Sequence, residues 1–442
     1  MFDTTISASA DEDLSTFNRL ESKVRSYSRS FPTVFERAQG CWLHDRDGKR
    51  FLDFLSGCSS LNYGHNHPVL KEALAAYIRE DGVAHSLDMH SSAKAAFLQA
   101  LEEHILRPRK LNYRVQFTGP TGANAVEAAL KLARKVTGRT NVIAFTNAFH
   151  GVTLGALAAT GNGHHRGAAG APLTSVTRMP FDGYFGFDVD TAAQLDQMLR
   201  DRSSGIEPPA AIILETVQGE GGLNVASHQW LRAIERIAKR SGALLIIDDI
   251  QAGCGRSGSF FSFEAAGLTP DIVTLAKSLS GMGLPMSAVL IKPEHDLWKP
   301  GEHNGTFRGN CHAFVTARAA LETFWCDGAF EAEIAHKGER VAEQLRDIHA
   351  AYSDHVIAVK GRGMMLGLEM ASGEIADGVV DAAFALGLLI ETGGADGEVV
   401  KLLAPLTATL DELGNGLALL RKAIAAVAES TALATEETDT DQ

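Results

Sequence analysis

"PAAIILETVQGEGGLNVASHQWLRAIERIAKRSGALLIIDDIQAG", residues 209–253, decides the fold. An uninterrupted apolar run, 210–214, ends on Glu215 and a glycine-rich loop. Residues 228–242 carry the spacing of an amphipathic helix. A second apolar run, 243–247, delivers Asp248. Runs this short and this apolar suit strands buried on both faces, and the helix between them suits a parallel crossover.

The alternation extends outward. "RVQFTG" (114–119) predicts a strand, "TGANAVEAALKLARKVTG" (121–138) a helix ending at Gly138, and "NVIAFTNAFHG" (141–151) another strand. "DIVTLAK" (271–277) and "LPMSAVLI" (284–291) continue the series. The result is an α/β fold with a mainly parallel sheet. From about 330 the pattern reads as a smaller α+β domain. Four segments follow: 1–80, contributing to the small domain; 81–329, the large domain; 330–430, the C-terminal small domain; and an acidic tail, 431–442. The tail and residues 1–16 are expected to be disordered. "CWLHDRDGKRFLDFLSG" (41–57) predicts a hairpin turning at Asp47-Gly48, and "HPVLKEALAAYIRED" (67–81) a helix with Pro68 in its first turn.

Composition narrows the function. With 442 residues the chain exceeds one ordinary core. Its net charge of −13 argues against nucleic acid and against anionic membranes as partners. Five scattered cysteines without a CxxC suit a reduced, cytoplasmic protein. The acidic start has no apolar h-region, and no apolar run nears the roughly 20 residues of a membrane helix. "KGRGMMLG" (360–367) imitates a dinucleotide loop but runs on as a strand. "GHNHP" and His164-His165 lack metal-ligand partners at the right spacing, so no metal is expected.

In a parallel sheet, ligands bind beyond the carboxyl ends of the strands. Glu215, Asp248 and Lys277 each follow a buried run and converge on that rim. Singly, a lysine is a surface group and an acid a helix cap. Jointly they ask for a ligand that needs an amine, a carboxylate and a phosphate cradle. The turn "GPTGANAVEAALKLAR" (119–134) opens directly into a helix, whose first amides suit a phosphate. Pyridoxal 5′-phosphate meets these demands. Lys277 would form the Schiff base, Asp248 would keep the ring nitrogen protonated, and Gln251 would bond the ring hydroxyl. Phe149, with His150 beside it, offers a flat face for the ring.

The set "GPTGANAVEAALKLAR", "AFHG", "ILETVQGEGG", "IIDDIQAGCGRSG", "PDIVTLAKSLSG" and "NGTFRGN" resembles the class III (ornithine/ω-amino acid type) pyridoxal-phosphate aminotransferases. The resemblance covers roughly residues 30–425. It implies a fold type I transferase with a seven-stranded sheet in the large domain, working as a homodimer or dimer of dimers with shared sites. It makes Lys277 and Asp248 the catalytic pair and Gly122 and Ala123 the phosphate amides, although a hydroxyl residue often stands at 123. Phe149, His150, Glu215 and Gln251 surround the ring, and Thr306 reaches the phosphate from the other subunit. Glu220 matches a switch glutamate whose usual partner is an arginine; here Lys401 stands in that place. Lysine offers a point charge where arginine offers a fork. Arg308 is the candidate replacement for holding a substrate carboxylate.

A narrower resemblance rests on "RLESKVRSYSRSFPTVFERAQG", "LNYGHNHP", "HSLDM", "GEGGLNVAS", "GCGRSGSFFSFEAAG" and "KPGEHNGTFRGN". These are similar to the diaminobutyrate–2-oxoglutarate aminotransferases of ectoine biosynthesis. The implied reaction moves the amino group of L-glutamate to L-aspartate 4-semialdehyde, giving L-2,4-diaminobutyrate and 2-oxoglutarate. "SGCSS" (56–60) and Ala404 depart from that pattern, which makes Cys58 a substrate-pocket candidate. An aminotransferase for another ω-amino acid or diamine, or an aminomutase, would share every cofactor residue.

Overall fold

The computed structural model describes the backbone of residues 10–440 and the side chains of 14–431. Its centre is a seven-stranded sheet. In chain order the strands are β1 (Arg114–Phe117), β2 (Val142–Phe145), β3 (Val176–Met179), β4 (Ala211–Leu214), β5 (Leu244–Asp248), β6 (Ile272–Leu275) and β7 (Ala288–Ile291). Across the sheet they run β1-β7-β6-β5-β4-β2-β3. Strand β7 is antiparallel to both neighbours, and every other pairing is parallel. Helix Gly122–Thr137 links β1 to β2, and helix His228–Ser241 links β4 to β5, burying Trp230, Leu231, Ile234 and Ile237.

The apolar runs are buried as their composition demands. Ile246, Ile247, Ile272, Val273 and Leu275 are wholly enclosed. Each contributes roughly 1.5–3 kcal/mol through burial. That fixes the two strands at whose ends Asp248 and Lys277 stand, in a register that sets Asp248 opposite Thr274.

Outside this sheet, the hairpin expected at 41–57 forms between Trp42–Asp45 and Arg50–Asp53, with Gly48 at φ +83° in the turn. Strand Leu388–Leu389 adds to it in parallel, so an N-terminal and a C-terminal segment share a sheet. A further four-stranded sheet holds Val356–Arg362, Met365–Met370, Val399–Leu402 and Glu391–Gly393. The helix expected at 67–81 spans Pro68–Arg79.

Composition misleads at the termini. Residues 10–16 and 431–440, expected to lack order, belong to helices Ala10–Leu20 and Leu410–Thr440. Neither stretch contains glycine or proline, and alanine, glutamate and leucine favour helix whatever the net charge. The rest of both expectations, residues 1–9 and 441–442, lies outside the described residues. Among the described residues no helix is long and apolar enough to cross a membrane.

Candidate active site

A cavity of about 520 Å³ opens at the carboxyl ends of β4, β5 and β6. Gly122, Ala123, Phe149, His150, Glu215, Glu220, Asp248, Gln251 and Lys277 all line it, together with Ser60, Thr121, Ile250 and the loop 283–286. Lys277 follows β6 at φ +48°, a left-handed backbone that costs energy for any residue but glycine. That turn carries the side chain off the strand axis at the cavity wall.

Asp248 is the polar anchor. Its Oδ2 lies 2.7 Å from His150 Nδ1, and Thr274 Oγ1 donates to its Oδ1 at 3.0 Å. Burial works against a charge on His150, but the Asp248 carboxylate outweighs it, so the imidazole is held above its ordinary value. Glu215 accepts hydrogen bonds from the amides of Phe149 (2.9 Å) and Gly219 (3.2 Å). Burial still pushes its carboxyl up to about 7. Glu215 thereby fixes the loop that presents Phe149.

Two buried polar atoms at the cavity, His150 Nε2 and Gln251 Oε1, have no hydrogen-bond partner in the protein. Helix Gly122–Thr137 starts at the wall, where Thr121 caps it by accepting from the Asn124 amide. A Cβ at Gly122 would lie 3.0 Å from the Ile250 side chain. Free helix-start amides, a flanking aromatic ring, a buried carboxylate, a lysine and unsatisfied polar atoms suit a phosphorylated pyridine aldehyde.

At the far end lies a charge cluster. Lys401, fully buried, sits across the strand pair from Glu391, its Nζ 3.1 Å from Glu391 Oε1. The same Nζ donates to Glu220 Oε2 at 3.1 Å, while Gln251 Nε2 donates to Glu220 Oε1 at 2.9 Å. Burial raises the Glu220 carboxyl, but Lys401 and Lys277 outweigh it and hold it below the carboxylate range. The Lys401 ammonium is stabilised in turn, its two carboxylates overcoming burial. Tyr27 Oη donates to Glu391 Oε2 at 3.1 Å and lies 2.8 Å from Cys58 Sγ. Cys58 belongs to a run of four left-handed residues, 56–59.

The residues singled out in the sequence gather around one cavity with four exceptions: Cys58 and Lys401 do not line it and reach it only through Gln251 and Glu220, and Arg308 and Thr306 lie elsewhere. Arg308 pairs with Asp88 and donates to the His303 carbonyl at 3.4 Å, in a separate groove. Thr306 is exposed beside it. Neither lines the cavity; Pro300, Gly301, His303 and Arg308 line the groove beside β1 instead. Tyr27, Glu391 and Thr274 escaped the sequence reading. Glu391 had a usable signal: like Glu215 and Asp248, it ends an apolar run, 388–390. Tyr27 had none, being 364 residues from the glutamate it touches.

The family model for aminotransferase class III matches residues 24–424. A diaminobutyrate–2-oxoglutarate transaminase of Vibrio parahaemolyticus is 58% identical over 93% of this chain and 97% of its own. Its counterpart in Vibrio cholerae is 57% identical over 92% and 99%. Among solved structures, an ornithine aminotransferase of Toxoplasma gondii, described with partial occupancy of PLP at its active site, superposes with a TM-score of 0.82. It is 26% identical and 95% of each chain is covered.

Proposed function

The chain belongs to the class III aminotransferases, and from that premise we propose that it moves the amino group of L-glutamate to L-aspartate 4-semialdehyde. The products are L-2,4-diaminobutyrate and 2-oxoglutarate. The observation that carries this reading is the convergence of Lys277, Asp248 and Glu220 on one cavity, in a chain 58% identical to a diaminobutyrate–2-oxoglutarate transaminase.

Pyridoxal 5′-phosphate, when bound, supplies the electron sink that lets an amino acid lose its Cα proton. The amides of Gly122 and Ala123 would hold its phosphate, Phe149 would cover its ring, and Asp248 would hold the ring-nitrogen proton. His150 keeps Asp248 oriented through their 2.7 Å contact. Lys277 Nζ would take the proton from the glutamate Cα and pass it on within that half-reaction, and in the second half-reaction would deliver a proton to the carbon that was the acceptor's aldehyde. Glu215 positions the Phe149 backbone. Glu220, bonded to Lys401 and Gln251, neutralises the lysine when the bound substrate lacks a carboxylate at that end.

The same reading carries a homodimer in which Thr306 and Arg308 serve the partner's cavity, a cytoplasmic location and a role in ectoine synthesis. Support for the dimer comes from the exposed apolar side chains Val83, Leu87, Met89 and Phe307 beside these residues. The test is a spectroscopic half-reaction. Glutamate alone should bleach the visible band of the holoenzyme, and aspartate semialdehyde should restore it. Restoration only by glutamate semialdehyde or succinate semialdehyde would reassign the substrate.

A further inference from the structure

We propose that Ser278 and Thr316 are positioning residues: their buried hydroxyls clamp the strained turn that aims Lys277 at the cavity. This rests on the function proposed above, in which Lys277 moves the substrate proton.

The turn needs holding. Lys277 is left-handed at φ +48°, and Gly281 ends the turn at φ +78°. For a lysine such a backbone persists only where its surroundings over-determine it. Within the turn, the Leu279 amide donates to the Ala276 carbonyl and the Gly281 amide to the Ser278 carbonyl, each at 2.9 Å. Those bonds shape the turn but do not tie it to the cavity wall.

Two side chains supply the ties. Ser278, 2% exposed, donates through Oγ to the Ser59 carbonyl at 2.7 Å and accepts from the Asn62 amide at 3.0 Å. These two partners bracket Ser60, which lines the cavity. Their segment is itself anchored. Asn62 Oδ1 accepts from Arg256 Nη2 at 2.7 Å, and the fully buried Arg256 donates through Nη1 to the Ala404 carbonyl at 2.6 Å and the Met364 carbonyl at 3.1 Å.

The second tie comes from helix Cys311–Phe324. Its Thr316, wholly buried, donates through Oγ1 to the Ser280 carbonyl at 2.6 Å. Contact there is tight, for a Cβ at Gly281 would come within 2.8 Å of the Thr316 carbonyl oxygen. Neither Ser278 nor Thr316 lines the cavity, so each acts through the Lys277 backbone.

The experiment follows the glutamate half-reaction of the holoenzyme and titrates its resting visible band, which reports the linked lysine. In Ser278→Ala the rate at saturating glutamate falls about tenfold, the loss of one or two neutral hydrogen bonds. The half-saturating concentration stays within about twofold, since no substrate contact is removed. The pH midpoint of the visible band moves by about half a unit or more. Thr316→Val, which keeps the buried shape, shows the same pair of changes to a smaller extent. A merely structural role would lower the unfolding midpoint alone, so an unchanged rate or an unchanged band midpoint in Ser278→Ala overturns the proposal. If that variant does not fold, either result in Thr316→Val overturns it. Full turnover in Lys277→Ala overturns the functional reading itself.

Discussion

His150 and Asp248 form a buried pair at the floor of the cavity, Nδ1 to Oδ2 at 2.7 Å, and the opposite ring nitrogen of His150 meets no protein group. Among the described residues Asp248 is therefore the hydrogen-bond partner that fixes the imidazole ring. Asp248→Asn should lower kcat by about 10²–10³-fold, the usual loss of one preorganised electrostatic contact. Stability carries a second signature. Because Asp248 raises the His150 value against burial, the pair's contribution is full below about pH 6.5 and is lost as pH rises through the raised value. Urea unfolding should thus show a gap between wild type and Asp248→Asn that narrows towards alkaline pH.

Lys277→Ala removes the amine that moves the proton. Turnover should fall by at least about a thousandfold. The variant should also elute without the visible absorbance of the enzyme-linked cofactor. Full turnover in this variant would remove Lys277 from the mechanism.

Glu215 offers a pH test. Burial raises its carboxyl to about 7, so ionising it in the folded state costs stability as pH rises from about 4.5 towards 7. Glu215→Gln abolishes that cost. The variant's stability relative to wild type should rise by up to about 3 kcal/mol across this window. Unfolding midpoints compared at several pH values check the slope. Its kcat should still fall, because Phe149 loses an anchoring acceptor.

Lys401→Met leaves Glu220 and Glu391 facing each other without their cation. The expected loss is about 3 kcal/mol, the lower end for breaking a buried pair, since Glu220 borders the cavity. Adding Glu220→Gln should recover part of it, so a double-mutant cycle should be non-additive. Glu220 is held below its usual range. Its share of stability is present above about pH 4.3 and is lost as pH falls through the depressed value.

Phe307, 66% exposed, stands at the head of the apolar patch beside Arg308. If two chains share their sites, Phe307→Glu should shift size-exclusion chromatography and light scattering from dimer to monomer. Activity should fall with it, because Thr306 would no longer reach the partner.

Much of this protein can be read locally. The apolar runs before Glu215, Asp248 and Lys277 give the strands, because a strand buried on both faces needs no alternation. A residue that ends such a run must lie at the sheet's rim, so these three side chains could be assigned to one site before any coordinates. The terminal helices were misread because acidic composition speaks about charge, whereas helix propensity acts residue by residue.

What the sequence by itself determined is therefore the sheet and the rim on which Glu215, Asp248 and Lys277 stand, each following from local periodicity. Only the tertiary structure decided the substrate end. Tyr27, Cys58, Glu220, Glu391 and Lys401 come from five distant segments, and no local period records their meeting. The reason is electrostatic as well as topological. Lys401 looks like an ordinary lysine until its strand pairs with Glu391's, and only within that enclosure do two carboxylates keep its charge buried.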